Sequence, residues 1–358
     1  MVIADCSKDP EIPLETITVK AETREQQTQS SLVDRFNRRI DYLRISVTDR
    51  CDLRCVYCMS EDMQFVPRSQ LLTLEELYRV GKAFVDMGVS KIRITGGEPL
   101  TRRGVMQLFQ SLGTLDGLRD LTLTTNGTLL AQHAQALKAA GVTRINISLD
   151  TLRTERFHSI TRIGDIHRTL AGIDAALETG FQRVKINSVI LKNRNHDEIA
   201  DLVAFAERRG MDISFIEEMP LGEIGDHNRA ELFYSSDQVL QDLQHHYDLM
   251  PTTETSGGPA RYYRINGSES RVGFISPHSH NFCEQCNRVR LTAEGRLLLC
   301  LGQEHSKDLR RVVRANPLDE APLRQAAIID AMQIKPKGHD FDITAQPVLF
   351  RHMNVTGG

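Results

Sequence analysis

A chain of 358 residues is long enough for one large domain or two ordinary ones, and its 40% hydrophobic and 25% charged residues are the proportions of a globular protein. Its 44 basic and 47 acidic side chains leave a formal charge of −3, which argues against a nucleic-acid duplex binder held by its overall field while leaving room for a local basic site. The longest uncharged run, residues 121–137, is broken by Thr, Asn, Gln and His, so no stretch approaches the roughly 18 apolar residues of a membrane span.

Residues 1–31 hold six acids and three bases and end in a Gln/Thr/Ser run. Neither the apolar core of a signal peptide nor the arginine-rich, acid-poor composition of a transit peptide is present, so the segment reads as a polar disordered tail and the compartment as cytoplasmic. From residue 32, short β-branched runs at 43–48, 91–95, 121–125, 144–149, 184–190 and 212–217 alternate with helical stretches. The first helix, 73–87, opens on a Thr73/Glu76 capping box, and Leu74, Leu77, Val80, Phe84 and Met87 repeat at three and four. Those at 129–140, 166–179 and 197–209 each end at a glycine, Gly141, Gly180 and Gly210. This alternation predicts right-handed βαβ units and an α/β fold, an incomplete (βα)6 TIM-type barrel over 32–248, with a doubly wound open sheet as the alternative. After about Leu249 the rhythm stops. Pro251 to Pro259 is a Thr/Ser/Gly-rich loop. Runs at 261–265, 271–276, 288–292 and 296–300, the last two joined by Ala293-Glu294-Gly295, predict short antiparallel strands in a C-terminal α+β extension over 249–358.

Seven cysteines stand at 6, 51, 55, 58, 283, 286 and 300, one in the tail and two groups of three. An odd number so grouped speaks against disulfides and for metal in a reducing compartment, with Cys6 a bystander. Cys51-x3-Cys55-x2-Cys58 supplies three thiolates in one loop. Either a distant fourth ligand completes a zinc site, or an iron–sulfur cluster is held by three cysteines with one iron open.

This triplet, with Tyr57 before its last cysteine and Gly96-Gly97-Glu98-Pro99 directly after the second strand, resembles the signature of the radical S-adenosylmethionine (SAM) superfamily. The resemblance implies that the open iron chelates the methionine moiety of SAM, and that one electron cleaves its sulfonium to a 5′-deoxyadenosyl radical. Polar clusters at Thr124-Thr125-Asn126-Gly127, Ser148-Leu149-Asp150 and Glu218-Met219-Pro220 fall at the ends of predicted strands, where barrels and open α/β sheets carry their sites.

Cys283-x2-Cys286-x13-Cys300 again lacks a fourth cysteine, and His278, His280 or His305 could complete a zinc ribbon. Arg288 and Arg290 share one strand face, as suits a polyphosphate; the bland alternative is a solvated edge strand. Together the two triplets, the Cys-x2-Cys-Asn-Arg-x-Arg-Leu-Thr run and the Gly357-Gly358 end resemble the GTP 3′,8-cyclase family of lyases that opens molybdenum cofactor biosynthesis, over nearly all of the chain from Leu32. The resemblance implies two [4Fe-4S] clusters, on Cys51, Cys55 and Cys58 and on Cys283, Cys286 and Cys300, the second touching the guanine of GTP. It places Arg44, Arg93, Thr124 (or Thr125 by one residue), Lys185, Arg288, Val289 and Arg290 against GTP. Tyr57, Gly97, Ser148 and Met219 fall against SAM, and Gly357 and Gly358 in a tail that reaches the site. It further implies an electron donor, transfer of the product to cyclic pyranopterin monophosphate synthase, and a homodimer; no nucleic acid and no membrane take part. The competing readings are a two-cluster radical enzyme acting on peptides and a non-catalytic zinc protein. His196, His227, His245 and His246 are unassigned and expected on the surface.

Overall fold

The structure, a computed structural model, describes residues 32–225, 227–343 and 351–357. The N-terminal tail with Cys6, and Gly358, lie outside the described residues.

The six expected strands form: β1 (Tyr42–Ser46), β2 (Lys91–Thr95), β3 (Asp120–Thr125), β4 (Val142–Ser148), β5 (Arg183–Val189) and β6 (Asp212–Ile216). They run parallel in sequence order. Between them lie α1 (Leu74–Asp86), α2 (Val105–Gly113), α3 (Leu130–Ala139), α4 (Thr154–Thr161), α5 (Ile166–Thr179) and α6 (Ile199–Arg208). Both halves of the α1 capping box are made, and α5 ends at Gly180 with φ 72°, the left-handed geometry that favours glycine.

The C-terminal strands depart from the expected antiparallel extension. They are β7 (Leu249–Thr252), β8 (Arg261–Ile265), β9 (Arg271–Ile275), β10 (Arg288–Leu291), β11 (Arg296–Leu298) and β12 (Ser306–Asp308). β9 pairs parallel with β6, and β10 pairs parallel with β1. One sheet of order β12-β11-β10-β1-β2-β3-β4-β5-β6-β9-β8-β7 results, open rather than closed. Residues 251 and 252, expected in a loop, belong to β7. Among the C-terminal strands, antiparallel pairing is kept at β8–β9, β7–β8, β10–β11 and β11–β12. The reason is that short hairpin spacing fixes how β8 meets β9 and β10 meets β11, but says nothing of which distant strand each pair joins.

Side-chain alternation divides the sheet into two faces. Leu43, Ile45, Ile92, Ile94, Ile145, Ile147, Ile186, Ile213, Phe215, Val289 and Leu291 enter one apolar core together with the helices. Their neighbours, Tyr42 and Arg44, Lys91 and Arg93, Asn146 and Ser148, Lys185 and Asn187, and Arg288 and Arg290, line a cavity on the other face. No helix is long and apolar enough to cross a membrane among the described residues.

Candidate active site

All six cysteines of the two triplets line that one cavity, and none is in a disulfide. The first triplet occupies the loop after β1, held from two sides. Gly97 N–H donates to the Thr48 carbonyl and Glu98 N–H to the Arg50 carbonyl. A β-carbon on Gly97 would collide with the Arg50 carbonyl oxygen, so close approach, not a positive φ, requires glycine here. Behind the turn, fully buried Glu98 accepts from Leu100 N–H, Thr125 Oγ1 and Asn126 N–H. Asn126 Nδ2 in turn reaches Asp52 at 2.7 Å and Cys51 Sγ at 3.7 Å, and Leu53 N–H faces the same sulfur at 3.4 Å.

Tyr57 donates its hydroxyl to Asp150 over 2.6 Å, and Asp150 also accepts from Val189 N–H. This ties the triplet loop to the end of β4, beside Ser148. Burial lifts the Asp150 carboxyl to about 6. Burial raises all three thiols as well, Cys58 to about 12. The first triplet therefore keeps its protons until a metal displaces them.

The second triplet has a different electrostatic setting. Lys335, 1% exposed, donates to the carbonyls of Arg288 and Leu299 and sits 3.7 Å from Cys286 Sγ. Burial opposes ionisation of Cys286, but Lys335 and Arg288 outweigh it and hold this thiol below its usual range. Arg38 clamps the loop from behind, donating to the carbonyls of Cys283, Lys337 and Pro336 and pairing with Asp34. Of the histidines that might complete a zinc ribbon, His278 is taken by the Glu218 carbonyl and His280 by Asp237. Three thiols in the loop after β1, and two before β10 with a third after β11, face one cavity, with Leu53 N–H on Cys51 and the Lys335 ammonium beside Cys286, a donor set that suits iron–sulfur clusters held by cysteine.

Between the triplets the parallel register builds two rows across β10, β1 and β2. Arg290 stands beside Arg44, which stands beside Arg93; Arg288 stands beside Tyr42, which stands beside Lys91. Arg288 and Arg290 are thus buried on an inner strand, not on a solvated edge. Burial holds Arg44 down to about 10, with Arg93 and Arg288 acting in the same direction, and holds Lys91 down to about 7. Burial would raise Tyr42, but Arg93, Arg44, Lys91 and Arg288 bring it to about 7. Lys185 adds another buried cation, bonded to Ser214 and Tyr262. Lys91 is met by Asp120 at 3.3 Å; the buried arginines that remain are costly unless a further anion joins them.

Of the two threonines in doubt, Thr124 Oγ1 accepts from Arg93 at 3.1 Å, whereas Thr125 is committed to Glu98. Arg93 Nε is buried without an acceptor among the described residues. Val289 sits between the two arginines with its side chain in the core. Met219 lines the cavity after β6. Its loop is anchored by Glu218, which His227 faces at 2.7 Å and Arg229 at 2.9 Å. His227 is buried rather than on the surface. The tail returns through the cavity: Asn354 donates to the Asp49 carbonyl, and the Gly357 carbonyl accepts from Arg290 and Arg44.

Lys91, Tyr42, Lys335 and Arg38 were not singled out from sequence, whereas Asp150 belongs to the polar cluster read at the end of the fourth strand. Lys91 carried a signal, since it alternates with Arg93 as Arg288 does with Arg290. Lys335 and Arg38 carried none, because only tertiary structure brings them to the second triplet.

Comparison with known proteins agrees with this geometry. Residues 45–206 match the Radical SAM superfamily and residues 211–341 match Molybdenum Cofactor Synthesis C. The chain is 59% identical over 334 residues to a GTP 3′,8-cyclase of Pseudomonas entomophila, covering 93% of this chain and 100% of that one. It is 55% identical over 329 residues to a GTP 3′,8-cyclase of Saccharophagus degradans, covering 92% and 99%. The crystal structure of Streptococcus suis SuiB bound to S-adenosylmethionine shares the fold with a TM-score of 0.60 at 15% identity, over 88% of this chain and 77% of that one. Signature, fold and full-length similarity agree: the chain belongs to the GTP 3′,8-cyclase family of the radical SAM superfamily.

Proposed function

We propose that this chain binds SAM and GTP in the cavity that both triplets line and converts GTP to (8S)-3′,8-cyclo-7,8-dihydroguanosine 5′-triphosphate, the first step of molybdenum cofactor biosynthesis. The observation that carries the reading is the placement of both cysteine triplets on one cavity, with a polyanion wall between them.

Cys51, Cys55 and Cys58 would hold one [4Fe-4S] cluster and Cys283, Cys286 and Cys300 a second. Bound there, the first would supply the electron that cleaves SAM to methionine and a 5′-deoxyadenosyl radical; that radical would take hydrogen from ribose C3′, the C3′ radical would bond to guanine C8, and one further electron from the donor with a proton would complete the dihydro base at N7. The chain's own groups do the rest. Gly97 and Ser148 offer polar groups to the methionine moiety, while Tyr57 and Met219 flank SAM beside the first triplet. Arg44, Arg93, Arg288 and Arg290 present guanidinium forks to the phosphates, with Lys185 as a further point charge. Thr124 fixes the Arg93 fork, Val289 spaces Arg288 from Arg290, and the tail, through Gly357, covers the wall. The reading carries with it an electron donor, a homodimer, cytoplasmic location and transfer of the product to cyclic pyranopterin monophosphate synthase.

The test is an anaerobic assay of the reduced, cluster-loaded protein with SAM and GTP. The expected outcome is SAM-dependent loss of GTP, with 5′-deoxyadenosine as co-product and a nucleotide isomeric with GTP that keeps its triphosphate but carries a C3′–C8 bond, separated by chromatography and identified by mass spectrometry and nuclear magnetic resonance. Peptide modification without GTP turnover, or a colourless protein holding zinc without iron and sulfide, overturns the reading.

A further inference from the structure

Cys51 has two sides. One faces the cavity that holds both triplets; the other faces a second pocket that opens on the outer surface. Arg50, Arg68, Arg102 and Arg103 line this outer pocket, with Asp52 as the acid among its lining residues. Asp52 turns inward, its carboxylate accepting from Asn126 Nδ2 and Thr128 Oγ1, so it does little to neutralise the rim. None of the four guanidiniums has an ion-pair partner among the described residues. Arg50 lies on the Val66 carbonyl and over the Phe65 ring, and Arg102 donates to the Leu72 carbonyl. Arg68 and Arg103 are exposed at the rim. Burial lowers Arg102, and Arg68 and Arg50 lower it further while Asp49 and Glu75 oppose them. That is the sign of positive charge gathered at one place.

We infer that this arginine-rimmed pocket docks an acidic, one-electron-carrying redox protein, and that Cys51 is where its electron enters. The inference rests on the reading of the first triplet as a cluster site. Cleavage of SAM takes an electron that neither SAM nor GTP supplies, and the inner cavity is committed to those two. The electron must therefore cross the wall from outside, and the wall is shared with solvent at Cys51. The exchange forms and breaks no bond: the donor is oxidised by one electron and the cluster on Cys51, Cys55 and Cys58 is reduced by one. The charge points to the partner's chemistry. On a chain whose overall charge is −3, an unpaired four-arginine rim steers an acidic surface to one face, and such steering acts on the association rate.

The experiment uses the cluster-loaded full chain and a reduced, strongly acidic flavin-carrying electron-transfer protein. Stopped-flow absorbance follows reduction of the first cluster in the wild type and in the double variant Arg68→Glu/Arg103→Glu. Sodium dithionite serves as a small reductant that needs no docking. The expected result is a drop of about tenfold or more in the donor-driven rate at low ionic strength, an unchanged dithionite rate, and convergence of the two proteins at high salt. Equal donor-driven rates, or a difference that salt does not close, overturn the docking surface. Equal slowing with dithionite also overturns it, because the arginines would then act on the cluster site itself. If dithionite reduces no cluster even in the wild type, the cluster reading falls and the inference with it. Iron content and thermal unfolding check the double variant, and Arg68→Gln/Arg103→Gln, which removes charge without reversing it, should give a smaller effect in the same direction.

Discussion

Arg290 donates a hydrogen bond over 2.8 Å to the carbonyl of Gly357, and Arg44, its neighbour across β1, reaches the same oxygen at 3.1 Å. The penultimate residue of the chain thus rests on two of the guanidiniums that we assign to the triphosphate of GTP. Gly357 can sit there because its φ is 74°, and because a β-carbon would collide with Thr95 Oγ1.

Gly357→Ala should therefore lift the tail off the arginines while leaving the fold intact. The left-handed geometry alone costs about 1–2 kcal/mol for an alanine, and the clash with Thr95 adds to it. The expected result is a loss of 5′-deoxyadenosine formation and GTP cyclisation of about tenfold or more, with unchanged iron content and thermal unfolding. Wild-type turnover in Gly357→Ala would show that the tail's position is irrelevant to catalysis.

Arg93 offers a separate test of the polyanion wall. Its Nη1 is fixed by Thr124 and its Nε is buried without an acceptor among the described residues, so it is poised for a ligand. Arg93→Met keeps the side-chain length and removes the fork. A hydrogen bond to a charged group contributes about 1.5–3 kcal/mol, so the Kd for GTP should rise roughly 10- to 150-fold. The Kd for SAM, measured by calorimetry on the same protein, should stay as it was. Equal weakening of both ligands would mean that Arg93 supports the barrel rather than GTP.

Much of this was legible in the sequence, for identifiable reasons. The α1 capping box, the glycine that ends α5 and the six inner strands are local signals, and each forms with little shift. The triplets were legible because thiol spacing within a loop is written in the chain. The attachment of β9 to β6 and of β10 to β1 was not, since parallel partners lie 59 to 246 residues apart in pairs such as Asp212 with Arg271 and Asp41 with Asn287. Without that register, the rows Arg290–Arg44–Arg93 and Arg288–Tyr42–Lys91 could not be seen, and Tyr42 and Lys91 went unnoticed. His227 was missed because a lone histidine carries no mark of the buried carboxylate it meets, here Glu218.

Lys335 shows the same blindness at the second triplet, and there it yields a prediction. Its ammonium bonds the carbonyls before Cys300 and after Cys286 and lies beside the Cys286 sulfur. Lys335→Met takes a donor from both carbonyls and leaves that of Leu299 short of its side-chain partner, at about 1–3 kcal/mol, and removes the cation that favours the Cys286 thiolate. The purified variant should lose the iron and sulfide of one cluster while the SAM-cleaving cluster persists, read by metal analysis and by electron paramagnetic resonance of the reduced protein. Lys335→Arg should restore part of the lost iron. Cys55→Ala should do the converse, abolishing 5′-deoxyadenosine formation with the second cluster retained.

The second row of the wall makes GTP binding pH-dependent, with a sign that follows from its two titrating members. Burial, with Arg93, Arg144 and Lys185 adding to it, brings Lys91 to about 7, although Tyr42 opposes the shift. Four surrounding cations outweigh burial to bring Tyr42 to about 7. Below that pH the free protein holds an ammonium and a neutral phenol, both compatible with phosphate. Above it, the coupled pair gives up one proton, from the ammonium or from the phenol, and either loss makes the row less attractive to the triphosphate. Bound GTP pulls that proton back onto the pair, so binding above neutrality takes up a proton. GTP affinity should then fall as pH rises from about 6.5 to about 8, by up to tenfold per pH unit for each proton taken up. Calorimetry in buffers of different ionisation enthalpy measures that uptake directly. Lys91→Met should bind GTP more weakly at low pH and flatten the pH slope relative to wild type, a difference in which the ionisation of GTP itself cancels. An unchanged slope in Lys91→Met would place the titrating group elsewhere.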